Sequence, residues 1–265
     1  MRLVKSHWIT GHITGKLLVL LNLVLLLTNL SAQNPDSTLS PNGTDPSEPR
    51  SRFDAYLARI EPLVSGYILQ ASASADWAFR PWGSVGVQVP LVYADFPSSV
   101  TTEIGDIQLN ALLAFYRNKN VGTFKAAALG CDFFMNTGDV ETGTGFGQYV
   151  IAPYLTSSFY PAEEIMITPI IEKYFSLNTD DANRSINDLS IRINTTLTIE
   201  EVWVTLAPEL LIDLSGDLEN LWTLRSSLGY MINPRVGFSA ELISQLAGEK
   251  RYNYLGRIAM RYLFN

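Results

Sequence analysis

The sequence predicts an all-β chain, an antiparallel up-and-down transmembrane β-barrel of about 12 strands. Three observations predict it: an N-terminal export segment, period-two strands joined by alternately short and long connections, and a ladder of alternating charges on their polar face.

The export segment comes first. Arg2, Lys5 and Lys16 precede an apolar run over 17–30 that only Asn22, Thr28 and Asn29 interrupt. Leu30-Ser31-Ala32 then offers a small-residue exit before Gln33. A basic start, a short apolar stretch and a small-x-small exit describe a signal peptide over 1–32. The run is too short for a membrane anchor, which needs roughly 20 residues. No cysteine lies near the exit, so a lipid anchor at the mature N-terminus is not expected.

Cleavage there changes the chemistry left in the chain. It removes Arg2, Lys5 and Lys16 from 19 basic residues and none of the 26 acidic ones, leaving 16 against 26, a net charge of −10. Both histidines, His7 and His12, also go. Without imidazole the usual Ser-His and Cys-His nucleophile pairs are excluded, as is the commonest metal ligand. Cys131 is the only cysteine, so no internal disulfide or thiolate cluster can form. No catalytic residue, metal or cofactor is expected. An acidic chain without basic runs also excludes nucleic acid as a partner.

Residues 33–52 read QNPDSTLSPNGTDPSEPRSR, rich in Pro, Ser, Asn and Asp and nearly free of apolar side chains. Such a composition cannot build a core, and a flexible periplasmic linker is expected. The barrel is expected over 53–265.

Beyond the linker, breakers divide the chain into strands. Short connections fall at 80–82, 118–120, 160–163, 200–201 and 232–234, and long ones at 95–104, 136–145, 178–187, 215–219 and 248–251. Short turns on one side and longer polar loops on the other mark outer-membrane barrels. The last strand, 252–264, ends on the short-turn side. Working back from it, 66–79 descends from the outer side and 52–60 makes the strand number even. Within strands the period is two. Over 189–199 the odd positions are mainly apolar, and the even ones are Ser190, Arg192, Asn194, Thr196 and Thr198. Over 202–213 the apolar face is Val202, Val204, Leu206, Leu210 and Ile212. Pro153, Pro169 and Pro208 fall inside strands, where bulges are expected. Tyr160, Tyr174, Tyr230, Tyr262 and Phe264 suggest two aromatic girdles.

Successive strands carry Glu172, Arg192, Glu209, Arg225, Glu241 and Arg257, alternating in sign, with Arg261 on the face of Arg257. Each neighbouring pair is symmetric about its connection, which in antiparallel hairpins sets residues opposite on one face. Exposed ion pairs are worth little, whereas unpaired charge in a confined lumen is costly. The charged face is therefore expected to be the lumen and the apolar face to meet lipid. Bracing of the wall by paired charges is the simpler account of the ladder. A charged ring that selects permeants is the other.

A resemblance rests on Gly105-Asp106-Ile107-Gln108-Leu109, on Phe115-Tyr116-Arg117, and on Phe134-Met135-Asn136-Thr137-Gly138-Asp139. Gly143-Thr144-Gly145 and Ile151-Ala152-Pro153 complete it. These segments are similar to an outer-membrane β-barrel family loosely named for the MetA pathway of phenol degradation and described as transporters. That family's usual proline before Thr-Gly-Asp is replaced here by Asn136. The resemblance implies the barrel fold and a hydrophobic or aromatic cargo.

Passage of a small solute through the barrel is the leading expectation, with outer-membrane lipid and the barrel-assembly machinery as partners. A structural or adhesive barrel with a filled lumen is the alternative. An enzyme acting on membrane lipid is disfavoured, for want of a histidine base beside a serine. Asp180, Asp181, Asn183 and Asp188 lack the spacing of a calcium loop and read as a solvated acidic loop. Gly143, Gly145 and Gly147 lack the strand-turn-helix context of a dinucleotide site.

Overall fold

A computed structural model describes residues 40, 42–63, 65–97, 99–118, 123–140, 144–177, 185–216, 218–250 and 252–264. The expected signal peptide, residues 33–39, and Asp180, Asp181 and Asn183 lie outside them.

Strands account for most of the described chain. They are β1 (Arg52–Pro62), β2 (Tyr67–Arg80), β3 (Gly83–Phe96), β4 (Ser99–Ile104), β5 (Gln108–Arg117), β6 (Phe124–Phe134) and β7 (Val150–Ala162). Then follow β8 (Ile165–Ser176), β9 (Asn187–Ile199), β10 (Val202–Asp213), β11 (Leu221–Met231), β12 (Val236–Ala247) and β13 (Tyr252–Leu263). Each pairs antiparallel with its neighbours, and β1 pairs with both β2 and β13, which closes the sheet on itself. β4 and β5 are two halves of one crossing: β3 pairs with β5 along its first half and with β4 along its second. The result is a closed 12-strand barrel.

The long connection expected at 95–104 is instead mostly strand, a hairpin in which Phe96 faces Ser99. Its crossing breaks at Gly105–Ile107, beside Pro90, whose carbonyl accepts the Gly105 N–H at 3.0 Å. A proline cannot donate to the ladder, so the partner strand is poorly held there.

The other prolines behave differently from expectation. Pro153 faces Cys131 and Pro169 faces Ile193 in unbroken register, and Pro208 faces Leu224 likewise. No bulge forms at any of them. Register shifts fall near strand ends instead, as at Ala78/Arg80, Ala114/Tyr116 and Phe159/Ala162. Strand ends have fewer neighbours to hold them in step, so an extra residue is absorbed there most cheaply.

The period-two pattern separates the faces as expected. Ile191, Val204, Leu228 and Ile258 stand on the outside, with Leu228 58% and Ile258 60% exposed in the chain alone. The opposite face holds Glu172, Ser190, Thr196 and Glu209, all buried. An apolar exterior around a polar interior inverts the soluble arrangement and suits lipid outside. Of the expected girdle residues, Tyr230 is exposed, and Tyr262 packs edge-on against Phe264 at 5.0 Å. Tyr160 and Tyr174 are corrections: both point into the lumen, Tyr160 donating to Asp45 and Tyr174 lining an inner cavity. Aromatic residues fill cores as readily as interfaces, and only their strand parity tells which.

Candidate functional site

The lumen site starts from the alternation that aims every second side chain inward. Glu209 on β10 is its hub. Its carboxylate accepts Arg225 Nε and Nη2, both at 3.1 Å, and the Ser190 hydroxyl at 2.7 Å. Arg192 Nη1 lies 3.9 Å away. Arg257 Nη2 pairs with Glu241 at 3.1 Å.

The ladder therefore exists, but not as a row of directly opposed pairs. Arg192 faces Glu209 and Glu241 faces Arg257, as their symmetry about the turns predicted. Glu172 faces Ser190, Glu209 faces Thr223, and Arg225 faces Ile243. These three expected oppositions are displaced by two residues. The 232–235 turn gives a cause for one of them. Asn233 Oδ1 accepts the Arg235 and Val236 N–H groups, each at 2.9 Å, which centres the hairpin on Pro234 rather than Asn233. A shift of two keeps every side chain on its face, so the face was predictable and the partner was not. Arg225 reaches Glu209 diagonally. No ion pair joins Arg225 to Glu241 or Arg192 to Glu172 among the described residues.

Arg261 belongs to a second cluster across the β1–β13 seam. Its Nε meets Asp54 at 2.7 Å, while Arg52 meets Asp76 at 2.7 Å and Asp54 at 3.4 Å. None of these seam partners was anticipated, because β1 and β13 lie at opposite ends of the barrel sequence and meet only at its closure.

Residues 40 and 42–51 overturn the expectation of a flexible linker in that part of 33–52. Asn42, Asp45, Ser47, Glu48 and Arg50 are all buried. Asp45 Oδ1 accepts the Ser47 amide at 2.9 Å and the Ser158 hydroxyl at 2.5 Å. Glu48 pairs with Arg117 at 3.1 Å, and Arg261 Nη1 donates to Gly43 O at 2.8 Å. Gly43 has φ +66, and a Cβ there would stand 2.9 Å from Leu263 Cδ2, so a side chain fits neither the backbone nor the space. This segment is a plug at the short-turn end of the lumen. Its composition lacks apolar groups because the barrel interior supplies polar partners instead of a hydrophobic core.

Among the described residues, two cavities flank the ladder. One of about 350 Å³ lies toward the plug and is polar, lined by Asp45, Arg52, Asp76, Asp132, Glu172 and Arg192 among others. The other, about 530 Å³, lies toward the long-loop end. Its wall is mainly apolar, including Phe146, Val150, Leu211, Leu221, Ile243 and Leu255, and Glu209 and Arg225 lie at its base. The ladder stands between them, sharing Glu172, Arg192 and Arg257 with the first cavity and Glu209 and Arg225 with the second.

The motif segments meet at the break between β4 and β5. Asp106 accepts the amides of Thr137 at 3.2 Å, Gly138 at 2.8 Å and Phe146 at 2.6 Å. Thr137 Oγ1 donates to Gly105 O at 2.8 Å. A Cβ at Gly138 would lie 2.5 Å from Thr144 O, so the loop can close this tightly only on glycine. The motif thus builds a clamp between the broken crossing and the β6–β7 loop. Asp106→Ala should loosen that loop by about 3 kcal/mol, since one carboxylate satisfies several amides. Faster protease nicking within 135–149 of an otherwise intact barrel checks it, and unchanged nicking refutes the clamp.

No family model and no curated protein matches the sequence. Solved structures do. The chain is similar to the COG4313 outer membrane channel from Pseudomonas putida F1, with a TM-score of 0.63 at 10% identity over 81% of this chain and 96% of that one. It is similar to the NanC porin, with a TM-score of 0.57 at 10% identity over 79% and 98% of the two chains. It is similar also to the KdgM porin, with a TM-score of 0.54 at 12% identity over 81% and 99%. The fold is that of outer-membrane channel barrels. At such identities the likeness carries fold and not cargo. With its apolar belt, the fold places the chain in the bacterial outer membrane.

Proposed function

We propose that the protein is a channel that passes small solutes through its lumen, from an apolar outer vestibule, across the charge ladder, to a polar chamber closed by the plug. The observation that carries it is the pair of cavities on either side of the ladder. A solid brace needs no vestibule, whereas ligand sites are concave and mostly apolar with a few placed polar groups. The vestibule's size and walls favour solutes with an aromatic or other apolar body. The resemblance to the MetA-pathway family supports the same choice.

A filled barrel without transport is the second reading, favoured by the buried plug. One experiment separates them. Ser47 and Ser158 hydroxyls are 2.7 Å apart, so cysteines at both positions are placed to bridge, in a Cys131→Ser background. Oxidised protein in a planar bilayer should be nearly silent, and reduction should restore steady conductance. Equal conductance in both states would remove the plug from the path, and silence in both would favour the filled barrel.

A further inference from the structure

The contacts between plug and wall have a direction. The wall donates and the plug accepts. Ser158 Oγ donates to Asp45 Oδ1 at 2.5 Å, and Tyr160 donates to Asp45 Oδ2 at 3.3 Å. Arg117 Nη2 donates to Glu48 Oε1 at 3.1 Å. Arg52 and Arg261 donate to the Gly43 carbonyl at 3.2 and 2.8 Å. In return the plug gives Asn42 Nδ2 to Thr198 at 3.2 Å and, because the one proton of Ser158 is spent on Asp45, the Ser47 hydroxyl to Ser158 Oγ at 2.7 Å. Two carboxylates of the plug therefore rest in donors supplied by the barrel.

Arg117 is built for this. Its Nη1 is anchored on Pro81 O at 2.7 Å, which fixes the guanidinium plane, and its side chain is only 12% exposed. Its Nε is buried without a partner, a spare donor beside the one that Glu48 uses. A guanidinium bonds a carboxylate best through two parallel donors, and the plug fills only one. The wall is better matched to a free carboxylate than to the tethered one it holds.

We propose that Arg117, and two strands away Ser158 with Tyr160, form two carboxylate-binding positions at the inner end of the lumen, occupied at rest by Glu48 and Asp45 of the plug respectively. A solute bearing a carboxylate displaces these tethered groups and so raises the fraction of barrels that are open above its resting value; this rests on the passage of solutes through the lumen. The energetics favour exchange over simple departure. When the plug leaves alone, a guanidinium and two hydroxyls exchange charged partners for water. When a carboxylate replaces it, they keep one. A solute that binds only the unplugged state shifts the population toward it in proportion to its concentration over its dissociation constant. An aromatic carboxylate suits both ends of the path, its ring in the vestibule and its anion at the floor.

Arg50 supplies a test on the full-length protein. It lies in the plug and is 7% exposed, so trypsin reaches it only when the plug leaves. Benzoate should accelerate cleavage at Arg50 severalfold in a dose-dependent way, and benzyl alcohol, its uncharged counterpart, should not. Arg117→Gln should move the half-maximal benzoate concentration upward, a change that mere loosening of the plug would not produce. Asp45→Asn should raise the basal cleavage rate without benzoate. Equal acceleration by both compounds overturns the proposal. So does indifference to benzoate, or a half-maximal concentration unmoved by Arg117→Gln. Benzoate-dependent cleavage in a protein whose cross-linked and reduced forms conduct alike supports the carboxylate site and overturns only passage through the lumen.

Discussion

Glu209→Ala is expected to cost about 3 kcal/mol of barrel stability and to open the vestibule floor. Glu209 is 9% exposed and is the ion-pair partner of both Arg225 and Arg192. Removing it leaves Arg225 and Arg192 with no carboxylate in ion-pair contact, and Arg192 Nε is already buried and unpartnered. The figure sits at the lower end for a broken buried pair, because Arg225 keeps 32% of its side chain exposed. Adding Arg225→Ala should recover part of the loss, a coupling on the order of 1 kcal/mol or more. The same cycle between Arg225 and Glu241 should be additive within about 0.5 kcal/mol, because these residues share a face without a bond. Denaturant titration of folding into detergent or lipid measures all of these. Strong coupling at Glu241 and none at Glu209 would mean that the hairpins pair in the symmetric register after all.

Ile258→Arg should weaken insertion by about 2–4 kcal/mol, the cost of a guanidinium on the lipid face near mid-bilayer. Ile258 faces Ala240 on one side and Leu57 on the other, with no acceptor to receive the new charge. Ile191→Arg and Val204→Arg should behave alike, at 37% and 39% exposure on the same outer surface. Asn194→Arg, on the lumen face of β9, is the control and should be tolerated. Thr196 is a poor control despite sharing that face: it is 1% exposed and bonds Thr205 at 2.8 Å. Recovery of folded, heat-modifiable barrel after refolding into lipid decides it. Equal yields for Ile258→Arg and Asn194→Arg would mean that the apolar face does not meet lipid.

Parity along a strand was legible because it depends only on neighbouring residues. It placed Glu172, Arg192, Glu209, Arg225, Glu241 and Arg257 on the lumen face and Ile191, Val204 and Ile258 on the other, without any knowledge of partners. The tight 200–201 turn was equally legible. A two-residue hairpin there leaves Ile199 facing Val202, which Glu200 meets with a φ of 52. The number of crossings followed from the same local signals, since each turn marks the end of a strand.

What the sequence could not determine was set by groups far apart in the chain. Arg225 bonds Glu209 rather than Glu241 because turn geometry moves a strand by two residues, which period two cannot detect. Asp54 and Arg261 are 207 residues apart and meet only because the barrel closes. Asp106 looked like part of a motif, and its purpose appeared only when the β6–β7 loop folded onto it. The plug is the clearest case. Residues 40 and 42–51 bury little apolar surface beyond Pro49, so composition marked them as unable to order themselves, which is true of them alone. Tertiary structure decided otherwise because the lumen offers Arg117, Ser158, Tyr160 and Arg261 as donors in fixed positions. A polar segment folds when its partners are already ordered, and the entropy it loses is offset by bonds that it could not make with itself.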